Sequence, residues 1–344
     1  MGYKITSSEE RNEKATEYET KSMLYMMNYY NKADEIKWFA IDFFNDVTGI
    51  NKYQDSCFDV QSKGVKDITP MLLGRYLVTL FKNYLSDFNF VDYILFIESV
   101  SETIRKEISS NVFVFNDLSE DIQNSIKDGL IDEANNKTYI EDKTLITTDN
   151  LDDFLKKVSF VIDNKTKEQY IKDAAELSDA VIIDNVYLRK IFKEIRDKQS
   201  SKKNNNCEGE ILDSIGCFYR YDKYISKDEI QDLIVCRICF NSKFKNLKTV
   251  PQSFIKVING IDETIIEERI EECQDAIFRL LSNKNNKKAY WELFSEINYV
   301  IKQNPLYDIN SIYNAVDKKK ISAVHHLDVI SCKYFISLIK ESLK

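Results

Sequence analysis

From Lys14 to Tyr30 the chain repeats at helical spacing. Ala15, Tyr18, Ser22, Tyr25 and Tyr29 fall on one stripe, and Glu19, Met23, Met26 and Tyr30 lie beside it. Ser7 with Glu10 three residues on offers a capping box for this helix, and Asn31–Asp34 reads as its exit. The period then changes. Ile36–Phe44 is an aromatic-rich run that reads as a strand, closed by Asp46, with Val47–Ile50 continuing it or pairing back. Asn51–Ser56 is turn-like. Cys57–Lys63 reads as a central strand ended by Gly64, and Pro70 opens a largely buried helix through about Leu85. Asp92–Glu98 and Val112–Phe115 supply further strands, with helix or loop at Thr103–Ile108 between them. The order predicts an α/β core: a mixed sheet flanked by helices.

From Leu118 onward helical patterns dominate. Asn136–Asn150 reads as a loop or small hairpin, a further unit starts at Asn150, and Lys165–Arg196 reads as two helices. The stretch Asp197–Glu210, DKQSSKKNNNCEGE, has no apolar periodicity and predicts an exposed linker. Beyond it the pattern is almost wholly helical: a second capping box at Ser226–Glu229 precedes one helix, and Ile261–Asn283, Lys287–Gln303 and Ile321–Leu343 are three more. The predicted organisation is an α/β domain over 1–196, a linker over 197–210, and a mostly α-helical domain over 211–344.

Composition narrows the chemistry. The 344 residues carry a formal net charge of -8, which argues against a general nucleic-acid binder and leaves room for an acidic metal site beside a local basic groove. Seven cysteines, an odd number, behind a polar N-terminus predict reduced thiols and a cytoplasmic protein. No apolar run reaches the roughly 18 residues a membrane span needs. A Gly-rich phosphate loop is missing, which excludes an ATPase or dinucleotide reading. Cys236 and Cys239 have zinc-like spacing without a second ligand pair, and read as helical free thiols. His325 and His326 are the only histidines and read as structural. Lys202-Lys203 and Lys318-Lys319-Lys320 read as solvated, with phosphate contact the alternative.

The constellation that carries chemistry sits between Trp38 and Gly64. On a strand Asp59, Gln61 and Lys63 share one face, opposite Phe58 and Val60. An acid ending one strand, facing an amide and a lysine on the next, suits phosphodiester cleavage assisted by Mg²⁺ or Mn²⁺. In that reading Asp46 supplies the carboxylate ligand, Gln61 its side-chain carbonyl and Ser62 its backbone carbonyl. Lys63 orients water or stabilises developing charge, and Glu19 reaches the site from the first helix. Glu141–Lys143, Asp163–Lys165 and Asp317–Lys319 repeat the motif by chance spacing, but none ends a strand that precedes a buried helix.

Tyr18-Glu19 on a helix, Asn45-Asp46-Val47, Val60-Gln61-Ser62-Lys63, then a helix and Tyr93–Phe96 together resemble the PD-(D/E)xK nuclease superfamily. Within it the order is similar to the Cap-type endonuclease domain of bacterial anti-phage effectors, as in CBASS effectors and the Lamassu nuclease subunit. The resemblance covers roughly residues 10–195. It implies a metal-dependent endonuclease acting on double-stranded DNA, with Asp46, Gln61 and Lys63 at its core and Glu19 in place of the family's first-helix Gln. It departs from the family in lacking the Gly-rich approach to that pair and in carrying Gln61 instead of a second acid. A plain helical C-terminal domain implies control by homo-oligomerisation or by an SMC-like sensor partner. The competing expectation is a non-catalytic assembly subunit with a degenerate nuclease fold; RNA cleavage is the third.

Overall fold

The computed structural model describes residues 3–5, 13–175, 184–204, 207–239, 250–259, 263–282, 287–325 and 327–342. The capping box at Ser7–Glu10 lies outside them, as does His326. The chain divides into two compact units, Met1–Tyr170 with Phe192–Ile230, and Ile171–Ile191 with Gln231–Lys344.

The first unit holds β1 (Tyr3–Lys4), α1 (Glu13–Asn28), β2 (Ile36–Ile41), β3 (Val47–Asn51) and β4 (Cys57–Lys63). Then come α2 (Pro70–Tyr76), α3 (Val78–Tyr84), β5 (Phe90–Ile97), α4 (Glu102–Arg105), β6 (Val112–Val114), α5 (Glu120–Asn136), α6 (Thr148–Leu155) and β7 (Val158–Ile162). β8 (Ile211–Leu212) and β9 (Tyr224–Ser226) also belong to it, while helices α7 (Lys167–Ala174), α8 (Asn185–Ser201) and α9 (Lys227–Cys239) are each divided between the two units. A mixed sheet in the order β6-β7-β5-β4-β3-β2-β9 runs through the first unit. β4, β5 and β7 are parallel; β2, β3 and β4 form an antiparallel meander. The sheet is mixed and helix-flanked, as the pattern predicts.

β4 lies in the middle and is buried on both faces, which is why its sequence, CFDVQSK, places polar side chains among apolar ones only where a partner waits. Helix α1 packs on one face, with Tyr18 and Tyr25 against Phe96 and Tyr30 against Phe58. Helices α2 and α3 cover the other. The expected single helix from Pro70 is two, meeting at Leu77. Gly74 of α2 and Gly129 of α5 let the two helices touch backbone to backbone: a Cβ at either would stand 2.0 Å from a carbonyl oxygen of the other helix.

Three further features of the α/β unit depart from the pattern. The run Ile36–Phe44 is not one strand. β2 stops at Ile41, Asp42 takes a left-handed φ of 49°, and Phe43 and Phe44 turn into the core as part of a loop to β3. Strand β7, VSFVI, is unanticipated; it pairs with β5 and β6. The stretch 197–210 is not an exposed linker. α8 runs through Ser201, Gln199 and Cys207 are buried, Ile5 exchanges backbone hydrogen bonds with Gly209 and Glu210, and β8 pairs with β1. β9 then completes the main sheet at β2, so residues expected in a helical C-terminal domain belong to the α/β unit.

The second unit is helical. It includes α10 (Gln252–Ile258), α11 (Glu263–Ser282), α12 (Lys287–Gln303), α13 (Ile309–Ala315), α14 (Lys318–Ser322) and α15 (Val329–Ser342), with α15 packed on α10, α11, α12 and α13. The expected helix Ile321–Leu343 is interrupted: the Asp328 carboxylate accepts the Ser331 N–H at 2.6 Å and starts a new helix there. The box at Ser226–Glu229 forms as read, Ser226 N–H donating to Glu229 and Glu229 N–H to the Ser226 hydroxyl. Among the described residues no helix is long and apolar enough to cross a membrane.

Candidate active site

Asp46 is aimed by the loop before it. Phe44 is wedged among the rings of Tyr3, Phe88 and Phe90, and the Asp46 carbonyl accepts the Asp42 N–H at 3.1 Å. Lys223, buried beside β9, donates to the Asp42 carbonyl at 2.8 Å and pairs with its carboxylate. The Asp46 side chain thereby meets the end of β4. Its Oδ2 accepts from Gln61 Nε2 at 2.8 Å, from the Ser62 N–H at 2.8 Å and from the Ser62 hydroxyl at 2.9 Å.

Asp59, Gln61 and Lys63 do share a face, and α2–α3 reads them in reverse order. Asn83 Nδ2 donates to Asp59 Oδ2 at 2.6 Å, the Thr79 hydroxyl donates to Gln61 Oε1 at 2.7 Å, and the Lys63 ammonium lies 5.5 Å from the centre of the Tyr76 ring. Residues at 76, 79 and 83 occupy one helical face, so strand alternation and helical period meet at every second strand residue. Asp59 also accepts from the Thr48 hydroxyl at 2.8 Å and from Asn45 Nδ2 at 3.4 Å. Enclosed by donors at zero exposure, it is a structural acid. Burial pushes its carboxyl up to about 6 despite those hydrogen bonds.

Glu19 arrives from the opposite face. The helical stripe leaves it at a solvated edge, but α1 is buried on all sides from Tyr18 to Leu24. The covering residues come from far along the chain: Gln199 accepts from Thr20 at 2.8 Å, Asp163 pairs with Lys21 at 2.6 Å, and Lys203 pairs with Glu19 at 2.5 Å. Lys203 is therefore not solvated, as its run predicts; its side chain is 12% exposed. Gly64, at the end of β4, makes room for Tyr18 beside Glu19, since a Cβ there would stand 2.5 Å from the ring.

Electrostatics tie these residues together. Burial raises the Glu19 carboxyl, the charge of Asp46 raises it further, and Lys203 opposes both. Burial also raises Asp46, opposed by Lys63, by the Ser62 N–H and by Lys203. Two acids and two lysines thus act on one another at the end of β4. Comparison of the chain with known protein families, curated proteins and solved structures finds no match. The chemistry of the site therefore rests on its own geometry.

A hard divalent cation needs oxygen donors. Among the described residues no three His, Cys, Asp or Glu side chains gather into a metal-holding group, and at the end of β4 the further oxygens beside Asp46 are those of an amide and the backbone. Asp46 fits: its hydrogen bonds fall on Oδ2, leaving Oδ1 to a ligand. Gln61 fits only with its amide reversed, because its oxygen now faces Thr79. The Thr79 hydroxyl can accept as well as donate, so the reversed amide keeps its partner. The look-alike motifs have other work, although Asp163–Lys165, against expectation, does follow a strand, β7, and precede a partly buried helix, α7. Asp142 and Asp317 cap the helical turns that follow them, and Asp163 holds Lys21. Cys236 and Cys239 fall on α9, His325 is exposed, and Cys57, Cys207, Cys217, Cys273 and Cys332 are buried free thiols.

Proposed function

We propose that the chain is a metal-dependent endonuclease of the PD-(D/E)xK kind that cleaves double-stranded DNA as an effector of anti-phage defence. The observation that carries this reading is the junction at the end of β4. Asp46, on the loop that leads into β3 and not at the end of a strand as expected, meets Gln61 and Ser62 of β4, with Lys63 on the same face as Gln61 and Glu19 acting on Asp46 from the other side. Mg²⁺ or Mn²⁺, held by Asp46, the Gln61 carbonyl oxygen and the Ser62 backbone carbonyl, would neutralise phosphate charge and acidify a water. Lys63 then orients that water or stabilises the charge developing on the phosphate, and Ser62 fixes the Asp46 rotamer through two hydrogen bonds. The net charge of -8 opposes unaided capture of DNA, which supports activation by assembly into homo-oligomers or by a sensor partner such as an SMC-like protein.

The test is plasmid cleavage by the full chain with Mg²⁺ or Mn²⁺ at several protein concentrations. Wild type should cut, Asp46→Ala and Lys63→Ala should lose at least about a hundredfold in rate while still melting cooperatively, and the rate should climb steeply with protein concentration. Variants that cut as well as wild type would reject this site. One observation favours a second reading, a non-catalytic assembly subunit on a degenerate nuclease fold: both acids already have partners within the chain, the Gln61 NH₂ on Asp46 and the Lys203 ammonium against Glu19. For such a subunit Lys63→Ala would leave defence against phage intact in cells.

A further inference from the structure

Lys203 enters the site from a segment remote in sequence from both of its acids. Its ammonium lies 2.5 Å from Glu19, with both side chains nearly closed off from solvent, at 12% and 8% exposure. It also acts on Asp46, the other acid of the site. Its backbone is held on both sides. Gln199 is bonded to Thr20 of α1, Lys202 pairs with Asp222 at 2.6 Å, and beyond it Cys207 is buried and β8 pairs with β1. Lys203 is thus delivered to the acids by a fixed segment, unlike a surface lysine that finds an acid by chance.

A cation between two buried carboxylates relieves their repulsion. A divalent metal bound at Asp46 would do the same, and two cations cannot both neutralise Glu19 at close range. We propose that Lys203 is the built-in counter-ion of the site, and that a divalent cation binds only as the lysine side chain swings away from Glu19. The backbone need not move, because the four-carbon stem of lysine supplies the reach. This rests on the nuclease reading for the metal, but the counter-ion role is a property of the folded chain alone.

The experiment uses the full chain without DNA and measures Mn²⁺ binding by calorimetry for wild type, Lys203→Gln, Lys203→Arg and Asp46→Ala. Removing a competitor held by one nearly buried ion pair should tighten Mn²⁺ binding about ten- to a hundredfold in Lys203→Gln. Lys203→Arg, which keeps the charge, should bind Mn²⁺ no more tightly than wild type. Equal or weaker binding by Lys203→Gln overturns the displacement. Binding that Asp46→Ala leaves unchanged places the metal elsewhere, and removes both the nuclease reading and the displacement step. Melting in EDTA at neutral pH decides the counter-ion role independently. Lys203→Gln should melt lower than wild type because it leaves the buried Glu19 carboxyl without its ion-pair partner, and adding Glu19→Gln should recover the loss. A double variant that melts no higher than Lys203→Gln overturns that role too.

Discussion

Among single residues, Asp59 gives the sharpest quantitative test. Its carboxyl sits near 6 in the fold against an ordinary 3.8, because burial outweighs the hydrogen bonds from Asn83, Thr48 and Asn45. The folded state therefore holds its proton where the unfolded chain has lost it. Stability falls as pH rises from about 4 to about 6, and the full penalty, about 3 kcal/mol, persists above that window. Asp59→Asn should match wild type near pH 4 and exceed it by up to that amount at neutral pH, read from urea melts across pH. Asparagine can keep the geometry, with its oxygen toward Asn83 and its NH₂ toward the Thr48 hydroxyl, which also accepts. A difference between the two proteins that does not change with pH would refute this account. At this scale the sequence was informative where a period of two carries the information: alternation alone puts Asp59, Gln61 and Lys63 on one face. It was silent on the partners. Nothing in the spacing of α1 marks Glu19 as buried, since its covering residue lies in a polar run with no apolar pattern.

At the level of elements, the contact between α2 and α5 is set by two glycines. Alanine at Gly129 would improve intrinsic helix propensity by about 1 kcal/mol. Its Cβ would also stand 2.0 Å from the Met71 carbonyl oxygen, and forcing the helices apart should cost about 3 kcal/mol or more. Packing wins, so Gly129→Ala should lower the urea midpoint, and Gly74→Ala should do the same. A midpoint equal to or above wild type would mean that the helices separate freely. Because α2 and α3 hold Gln61 and Lys63 from outside, this crossing also braces the candidate site. The strands that the pattern missed were missed for opposite reasons. β7 has a β-rich sequence but follows a helical unit closely, whereas β9 has three residues and no period to show.

For the molecule as a whole, the boundary expected at residue 196 cuts through the α/β unit. Residues 192–230 return to it, adding β9 to the sheet edge, Lys223 to Asp42 and Lys203 to Glu19. A fragment of residues 1–196 keeps Asp46, Gln61 and Lys63 but loses these closures. It should lack a cooperative melt and be digested by thermolysin at least about tenfold faster than the full chain; a fragment as resistant as the full chain would show the return segment to be dispensable. The same return sets a clock during synthesis. Glu19, Asp46 and Lys63 leave the ribosome early, and Lys203 emerges on the order of ten seconds later at ordinary elongation rates. Until then the nascent chain carries the acids without the segment that encloses them. The α/β unit can therefore close only once residues 192–230 have been made, however early its acids emerge.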